Sequence, residues 1–209
     1  MMETITKIPL TLDERATYGD ELRIPASWGA FLDLLERNSY RAEYDGEEIV
    51  SIMGYATFDH ELIVGRIIRL LGNLFEGQPY QVLGSNLALQ PPGGGKYYYN
   101  ADCTVVKGEP EWAVLRGEMK ALTNPSLLVE VLSSSTYRYD LGDKFYRYKN
   151  IPELQQILYI DSTERRLYNY TRPAQEGEWL LNTIEGEGAQ VPILGQGELS
   201  LAAIYEGVG

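Results

Sequence analysis

The chain has 209 residues, of which 44% are hydrophobic, and this size and apolar content suit one compact domain with its own core. The formal net charge of −12 disfavours nonspecific attraction to nucleic acid, although it leaves room for a local basic face. A single cysteine, Cys103, excludes an internal disulfide and a cysteine-based zinc site, and a single histidine, His60, excludes a multi-histidine metal site.

The distribution of apolar residues also bears on the compartment. No stretch approaches the ~20 consecutive apolar residues that a membrane-spanning helix needs. The first residues lack the basic segment and the following apolar segment of a signal peptide. Together with the lone cysteine, these features predict a cytoplasmic protein without a membrane partner.

The first part of the chain is predicted to contain two helices and a hairpin after an irregular start. Residues 1–25 show no periodicity, and Pro9 and Pro25 interrupt them. The predicted elements are a short amphipathic helix at 27–38, a hairpin at 40–53 that turns at Asp45-Gly46, and a helix at 57–75 capped by Thr57 or Asp59.

The remainder of the chain is predicted to consist mainly of strands. Residues 126–132 are apolar almost throughout, which is typical of a strand covered on both faces. The predicted elements are strands at 80–90, 97–106, 126–132, 154–161 and 165–171, a loop at 91–95, a polar connector at 109–124, a helix at 139–150, and further strand with a terminal turn at 177–206. This order predicts one mixed α/β domain over residues 1–209, with a central sheet flanked by helices.

Glu130 lies in the middle of the apolar strand at 126–132. Because side chains alternate along a strand, Leu128, Glu130 and Leu132 share one face, and Glu130 is the only polar side chain in that stretch. A buried carboxylate is costly unless a cation pairs with it. That cation is either a lysine or arginine, which would make the pair structural, or a metal ion.

Asp102 stands in a similar context, directly ahead of the apolar stretch Cys103–Val106. If the two strands are neighbours, Asp102 and Glu130 can approach each other. Two close carboxylates raise one pKa or recruit a cation. Magnesium suits such a pair because it is a hard ion that takes oxygen ligands.

Lys144 is the third candidate. On the helix predicted at 139–150, Lys144 falls at the edge of the apolar face, beside Asp140. Its side chain either extends outward or reaches over the carboxylates, where its ammonium would orient an attacking water and offset charge on a phosphate. His60, on the apolar face of its helix, is either a packed histidine or a functional one, and Glu61 beside it is a further candidate metal ligand.

The segment EVLSSSTYRYDLGDKFYRYKNIPELQQILYID (130–161) resembles the segment that marks the Uma2 family, whose members are described as putative restriction endonucleases. The resemblance runs from Trp28 to Tyr170 and includes AEYDGEEIVSIMG, the helix that carries His60, and NADCTVV. The family is assigned to the PD-(D/E)xK nuclease superfamily. The resemblance implies a restriction-endonuclease-like α/β (α+β) fold, a mixed central sheet flanked by helices.

The resemblance also implies a site. The superfamily aspartate corresponds to Asp102 and the second acidic residue to Glu130, while the lysine that usually follows two residues later is replaced by Leu132 and is carried by the next helix, as Lys144. Asp102, Glu130 and the backbone carbonyl of Val131 would hold Mg²⁺ or Mn²⁺. The usual proline before the aspartate is Ala101, and the usual Ser-Pro-Ser is Ser133–Ser135. DNA as the substrate and a homodimer as the assembly are further implications.

Three hypotheses follow from these residues. The first is a magnesium-dependent endonuclease that hydrolyses DNA phosphodiester bonds. The second is a catalytically silent nuclease-fold module that binds DNA or protein. The third is an oligomeric scaffold in which Glu130 and Lys144 form a buried structural ion pair.

Overall fold

A six-stranded mixed sheet forms the centre of the computed structural model, which describes residues 7–53, 57–93, 96–173 and 178–209. Across the sheet its strands are β12 (Leu180–Glu185), β11 (Arg166–Thr171), β10 (Gln156–Asp161), β9 (Leu127–Leu132), β6 (Cys103–Lys107) and β4 (Tyr80–Gly84). The pair β9–β10 is parallel, and the other neighbouring pairs are antiparallel. The predicted α/β (α+β) fold with a mixed central sheet is confirmed.

A second, four-stranded antiparallel sheet carries the hairpin that the sequence predicted. Its strands, in spatial order, are β1 (Glu21–Pro25), β3 (Glu48–Ile52), β2 (Glu43–Asp45) and β5 (Tyr97–Tyr98). The hairpin turns at Asp45-Gly46, where Gly46 has φ 81°, a value that residues with a Cβ rarely adopt. Helix α2 (Trp28–Leu35) packs on this sheet and buries Phe31.

Helices cover both faces of the central sheet. On one face lies α3 (Phe58–Leu74), whose buried side chains are Ile63, Val64, Ile67 and Leu71. Thr57 caps it, because the Thr57 hydroxyl accepts a hydrogen bond of 3.2 Å from the His60 N–H. The same face is closed by β13 (Gln190–Ile193), β14 (Gly197–Ser200) and α6 (Leu201–Ile204).

On the opposite face lies the helical connection between the parallel strands β9 and β10. It consists of α4 (Tyr137–Tyr139), a π-helical segment (Asp140–Lys144) and α5 (Phe145–Tyr148). Parallel strands cannot be joined by a tight turn and need such a crossover. The crossover packs on the face of β9 that bears Leu128 and Leu132, and therefore also Glu130.

The structure differs from the sequence prediction in several places. The strand predicted at 80–90 ends at Gly84, and the helix predicted at 139–150 is interrupted by the π-helical segment Asp140–Lys144. The strand predicted at 97–106 is split into β5 and β6, which belong to different sheets. The connector predicted at 109–124 is a hairpin of β7 (Trp112–Arg116) and β8 (Met119–Leu122), because Leu115 and Met119 pack against the core beneath α2.

The start of the chain, predicted to be irregular, contains α1 (Leu12–Ala16) and β1 within its described part. Helix α1 forms because Thr11 and Glu14 make a reciprocal capping box. Strand β1 tolerates Pro25 because it lies at the edge of its sheet. Residues 1–6 of that prediction, and residues 94 and 95 of the predicted loop, lie outside the described residues.

None of the helices in the described ranges is both long enough and apolar enough to cross a lipid bilayer.

Candidate functional site

Asp102 and Glu130 are brought together by the pairing of β6 and β9. These strands are antiparallel with Cys103 opposite Val129, so one further step along the ladder sets Asp102 opposite Glu130, on the same face of the sheet. The Asp102 Oδ2 accepts a 2.8 Å hydrogen bond from the backbone N–H of Val131. Both carboxylates line one cavity of about 250 Å³.

Lys144 reaches inward from the helical crossover into the same cavity. Its side chain is buried, and its Nζ lies 3.1 Å from Glu130 Oε1 and 3.1 Å from Asp140 Oδ1. The Nζ also lies 3.3 Å from Glu43 Oε1 and donates a 3.2 Å hydrogen bond to the Asn100 carbonyl. Of the two orientations that the sequence left open, the structure shows the one over the carboxyl groups, with the Lys144 ammonium in contact with the Glu130 side chain.

Sequence reasoning missed three residues of this cluster. The Tyr148 hydroxyl donates a 2.9 Å hydrogen bond to Glu130 Oε1. The Glu43 carboxylate, from β2, accepts a 3.0 Å hydrogen bond from the Asn100 N–H. The Arg41 guanidinium lies 3.8 Å from Asp102 Oδ1 and 3.8 Å from Glu43 Oε1.

A signal for one of the missed residues was present in the sequence. Glu43 stands between the buried Ala42 and Tyr44, but Asp45 follows in the same strand, so the pattern that singled out Glu130 is present there only in weakened form. Tyr148 gave no such signal, because a tyrosine on the apolar face of a helix is usually part of the core.

His60 and Glu61 lie where α3 begins, at the edge of the cavity. The His60 Nε2 is 3.7 Å from Asp102 Oδ2, and its Nδ1 is 3.2 Å from Glu61 Oε1. The Glu61 side chain is 65% exposed, so it lies at the mouth of the cavity rather than in its depth. His60 therefore contacts a candidate catalytic residue and is not only a packed core residue.

The cluster carries more acidic than basic groups. Four buried carboxyl groups, from Glu43, Asp102, Glu130 and Asp140, face the buried Lys144 and the half-exposed Arg41. Such a surplus of negative charge attracts a proton or another cation.

The pKa values respond to this surplus. Burial, with the neighbouring carboxylates of Asp140, Asp102 and Glu43, raises the pKa of Glu130 to about 8 despite the opposing charge of Lys144. Burial also raises the pKa of Asp140. Burial disfavours the ammonium of Lys144, but the surrounding carboxylates outweigh it and raise the pKa of Lys144, so the amine stays protonated.

The pKa of Asp102 is shifted in the opposite direction. Burial opposes its ionisation, but His60, Arg41 and the Val131 N–H together lower the pKa of Asp102. Reciprocally, the contact with Asp102 raises the pKa of His60. The two carboxyl groups therefore differ: Asp102 ionises more readily than a solvated aspartic acid, whereas Glu130 holds its proton more tightly than a solvated glutamic acid.

The donor set fits a hard divalent cation. Within residues 7–53, 57–93, 96–173 and 178–209, no three His, Cys, Asp or Glu side chains are placed to hold a metal ion by themselves. Magnesium commonly uses only one or two carboxylates and completes its shell with water and substrate phosphate. The Val131 N–H donates a hydrogen bond to Asp102. Because the N–H and the carbonyl of one strand residue point to the same edge of the strand, the Val131 carbonyl oxygen is a third candidate ligand beside the two carboxylates.

The sequence of the chain matches a family model and two curated relatives over most of its length. The family model described as "Uma2: Putative restriction endonuclease" matches residues 28–203. The uncharacterized protein sll1609 of Synechocystis sp. is 32% identical over 161 residues, which cover 77% of this chain and 88% of that protein. A second uncharacterized Synechocystis protein, slr1290, is 32% identical over 152 residues, which cover 72% of this chain and 76% of its own.

A solved structure is also similar. The crystal structure of a putative nuclease belonging to DUF820 from Anabaena variabilis superimposes with a TM-score of 0.66 at 16% identity. The match covers 87% of this chain and 98% of that one. At this identity the likeness shows a shared fold.

Proposed function

Because the chain belongs to the Uma2 family of putative restriction endonucleases, we propose that it is a divalent-metal-dependent endonuclease that hydrolyses phosphodiester bonds of DNA. One observation carries the proposal. Asp102, directly before β6, and Glu130, in the neighbouring strand β9, line the wall of one cavity, with the Lys144 ammonium 3.1 Å from Glu130.

The proposed ligands of the cation are the carboxylates of Asp102 and Glu130 and the carbonyl of Val131. A bound Mg²⁺ or Mn²⁺ would polarise the scissile phosphate and lower the pKa of a water molecule. Glu130 must release its proton to become a ligand, because only its ionised carboxylate competes for a hard cation. Tyr148, which donates a hydrogen bond to Glu130 Oε1, holds that carboxylate in place.

Lys144 acts as a hydrogen-bond donor in this proposal. Since its neighbours keep it protonated, it cannot take a proton from water and does not serve as a general base. Its ammonium orients the attacking water and offsets the negative charge that develops on the phosphate.

A catalytically silent module that binds DNA or protein is the second candidate, and one observation favours it. The Lys144 ammonium already lies within 3.3 Å of three carboxylates and a backbone carbonyl, the kind of closed network that a structural ion cluster also forms. The two candidates differ in whether the cluster supports turnover.

A plasmid assay separates them. We expect the protein to nick or cleave supercoiled plasmid when Mg²⁺ is present, and we expect Asp102→Asn, Glu130→Gln and Lys144→Met each to abolish cleavage. The control is Glu187→Gln, which changes an exposed carboxylate outside the cavity. Cleavage that persists unchanged in Glu130→Gln and Lys144→Met would refute the nuclease assignment.

Calorimetry with Mg²⁺ completes the test. A protein that binds Mg²⁺, loses this binding in Asp102→Asn, and yet leaves the plasmid intact would be the silent module. A wild-type protein that binds no Mg²⁺ would show that the cluster is purely structural.

A further inference from the structure

Glu43 reaches the carboxylate cluster from the four-stranded sheet, whereas the other buried carboxyl groups belong to the central sheet and its crossover. It lies on β2, which is paired with β3 on one side and with β5 on the other. Glu43 is 6% exposed, so its carboxylate is held inside the protein by a strand that is fixed at both edges. The proposed function leaves this buried charge without a part in the reaction.

One oxygen atom of Glu43 connects two parts of the site. Glu43 Oε1 accepts a 3.0 Å hydrogen bond from the Asn100 N–H and lies 3.3 Å from Lys144 Nζ. The Asn100 carbonyl in turn accepts a 3.2 Å hydrogen bond from Lys144 Nζ. The Glu43 carboxylate, the Asn100 backbone and the Lys144 ammonium therefore form a closed set of contacts, in which each group touches the other two.

Asn100 lies where the chain passes from the second sheet to the central sheet. Strand β5 ends at Tyr98 and β6 begins at Cys103, so residues 99–102 make this passage, and Asp102 is its last residue. The Asn100 N–H belongs to a buried residue and needs an acceptor, which Glu43 provides. The contact with Glu43 therefore helps to fix the backbone from which Asp102 enters the cavity.

The other carboxyl groups around Lys144 cannot locate its ammonium as Glu43 does. Asp140 lies four residues earlier on the same helical segment, so its 3.1 Å contact moves together with Lys144. Glu130 is a proposed ligand of the cation and would share its charge with that cation. Glu43 and the Asn100 carbonyl are not proposed ligands, so they hold Lys144 relative to the two sheets independently of the metal.

We propose that Glu43 is a positioning residue of the site, whose carboxylate fixes the Lys144 ammonium and the backbone that leads to Asp102 relative to each other. This inference rests on the proposed function, since it takes Lys144 as the donor that orients the attacking water. It extends that function by giving the second sheet a part in the reaction: β2 supplies the group that keeps the amine in place.

The exchange of ammonium protons with water, measured by ¹H–¹⁵N NMR, reports how firmly Lys144 is held. Lys144 is buried, whereas the other lysines are exposed or half-buried, so the slowly exchanging ammonium signal belongs to Lys144. Glu43→Gln keeps an acceptor oxygen but loses the charge, and we expect it to speed this exchange roughly fivefold. Glu43→Leu loses both, and we expect it to speed the exchange at least tenfold.

Steady-state cleavage of DNA with Mg²⁺ gives the second readout. We expect kcat to fall in the same order, roughly fivefold in Glu43→Gln and at least tenfold in Glu43→Leu, while KM stays unchanged. The reason is that a misplaced ammonium impairs the chemical step rather than the binding of the substrate. All assays are run well below the melting temperature of each variant, and the isosteric Glu43→Gln carries the test if Glu43→Leu does not fold.

The matched control is Asp45→Asn, which removes a carboxylate from the same strand. The Asp45 carboxylate accepts hydrogen bonds from the Tyr99 hydroxyl at 2.6 Å and from Arg147 at 3.0 Å, and it does not line the cavity. We expect Asp45→Asn to leave both the exchange of the Lys144 ammonium and kcat as in the wild type.

Two results would overturn the proposal. One is exchange of the Lys144 ammonium protons that is no faster in the Glu43 variants than in Asp45→Asn, and the other is faster exchange together with a wild-type kcat. Failure of the proposed function is a different result: DNA remains uncut by the wild type with Mg²⁺, but the Glu43 variants still speed the exchange. That outcome supports Glu43 as the group that holds Lys144 while it refutes the nuclease.

Discussion

Replacing Glu130 by glutamine should change how the stability of the protein depends on pH. Glutamine has the shape of the protonated glutamic acid but does not titrate. In the folded protein without metal, Glu130 keeps its proton up to about pH 8, whereas a freely solvated glutamic acid ionises near 4.5. Between these two values the folded wild type binds more protons than the unfolded chain, so its free energy of unfolding falls as the pH rises.

The size of this fall follows from the difference between the two pKa values. Each tenfold change in an ionisation constant is worth about 1.4 kcal/mol, so a rise from 4.5 to about 8 corresponds to about 5 kcal/mol. This contribution is fully present below pH 4.5 and lost above pH 8. Glu130→Gln lacks it, so the variant should become more stable relative to wild type as the pH rises through this range.

Urea denaturation at pH 5, 7 and 9 in the presence of a chelator measures this difference. A second series with Mg²⁺ adds an independent readout, because bound cation stabilises the folded state by mass action. We expect Mg²⁺ to stabilise the wild type more at pH 9 than at pH 6, since the cation competes with the proton on Glu130, and we expect no stabilisation of Glu130→Gln.

The control is Glu187→Gln, which alters an exposed carboxylate outside the cavity. Its stability should follow that of the wild type at every pH. If the wild type and Glu130→Gln instead give parallel curves between pH 5 and 9, Glu130 is ionised in the folded protein and the account of its environment is wrong.

Three further predictions test the contacts of the cluster. Lys144→Met should lower the free energy of unfolding by about 3–5 kcal/mol, because it leaves buried carboxylates without their cation; denaturation at pH 7 that matches the wild type would contradict this. Tyr148→Phe should cost about 1 kcal/mol by the same measurement, since it removes the 2.9 Å hydrogen bond to Glu130, and a cost of zero would show that this bond contributes nothing. Asp102→Asn should lower the pKa of His60, because Asp102 is the main cause of the raised pKa. The chain has one histidine, so a single imidazole signal in an NMR titration reports this pKa. An unchanged titration curve would exclude the contact between His60 and Asp102.

Local patterns were sufficient to predict most elements of the fold. Helix α3 followed from the spacing of its apolar residues, the β2–β3 hairpin from Asp45-Gly46, and β9 from its continuous apolar run. The π-helical segment 140–144 and the division of 97–106 between two sheets were not predicted. Both depend on which strand or sheet packs nearby, and a short segment carries no signal for that.

The sequence by itself determined that a carboxylate, Glu130, would be buried in a central strand, because an apolar run on both sides leaves it no route to solvent. It could not determine what that carboxylate would meet. Only the tertiary structure decided that the antiparallel pairing of β6 and β9 brings Asp102 beside Glu130, and that the crossover between the parallel strands sets Lys144 against Glu130. It also brought Glu43 from another sheet into the cluster, because charges interact through space and residues far apart in the chain become neighbours only when the strands have paired.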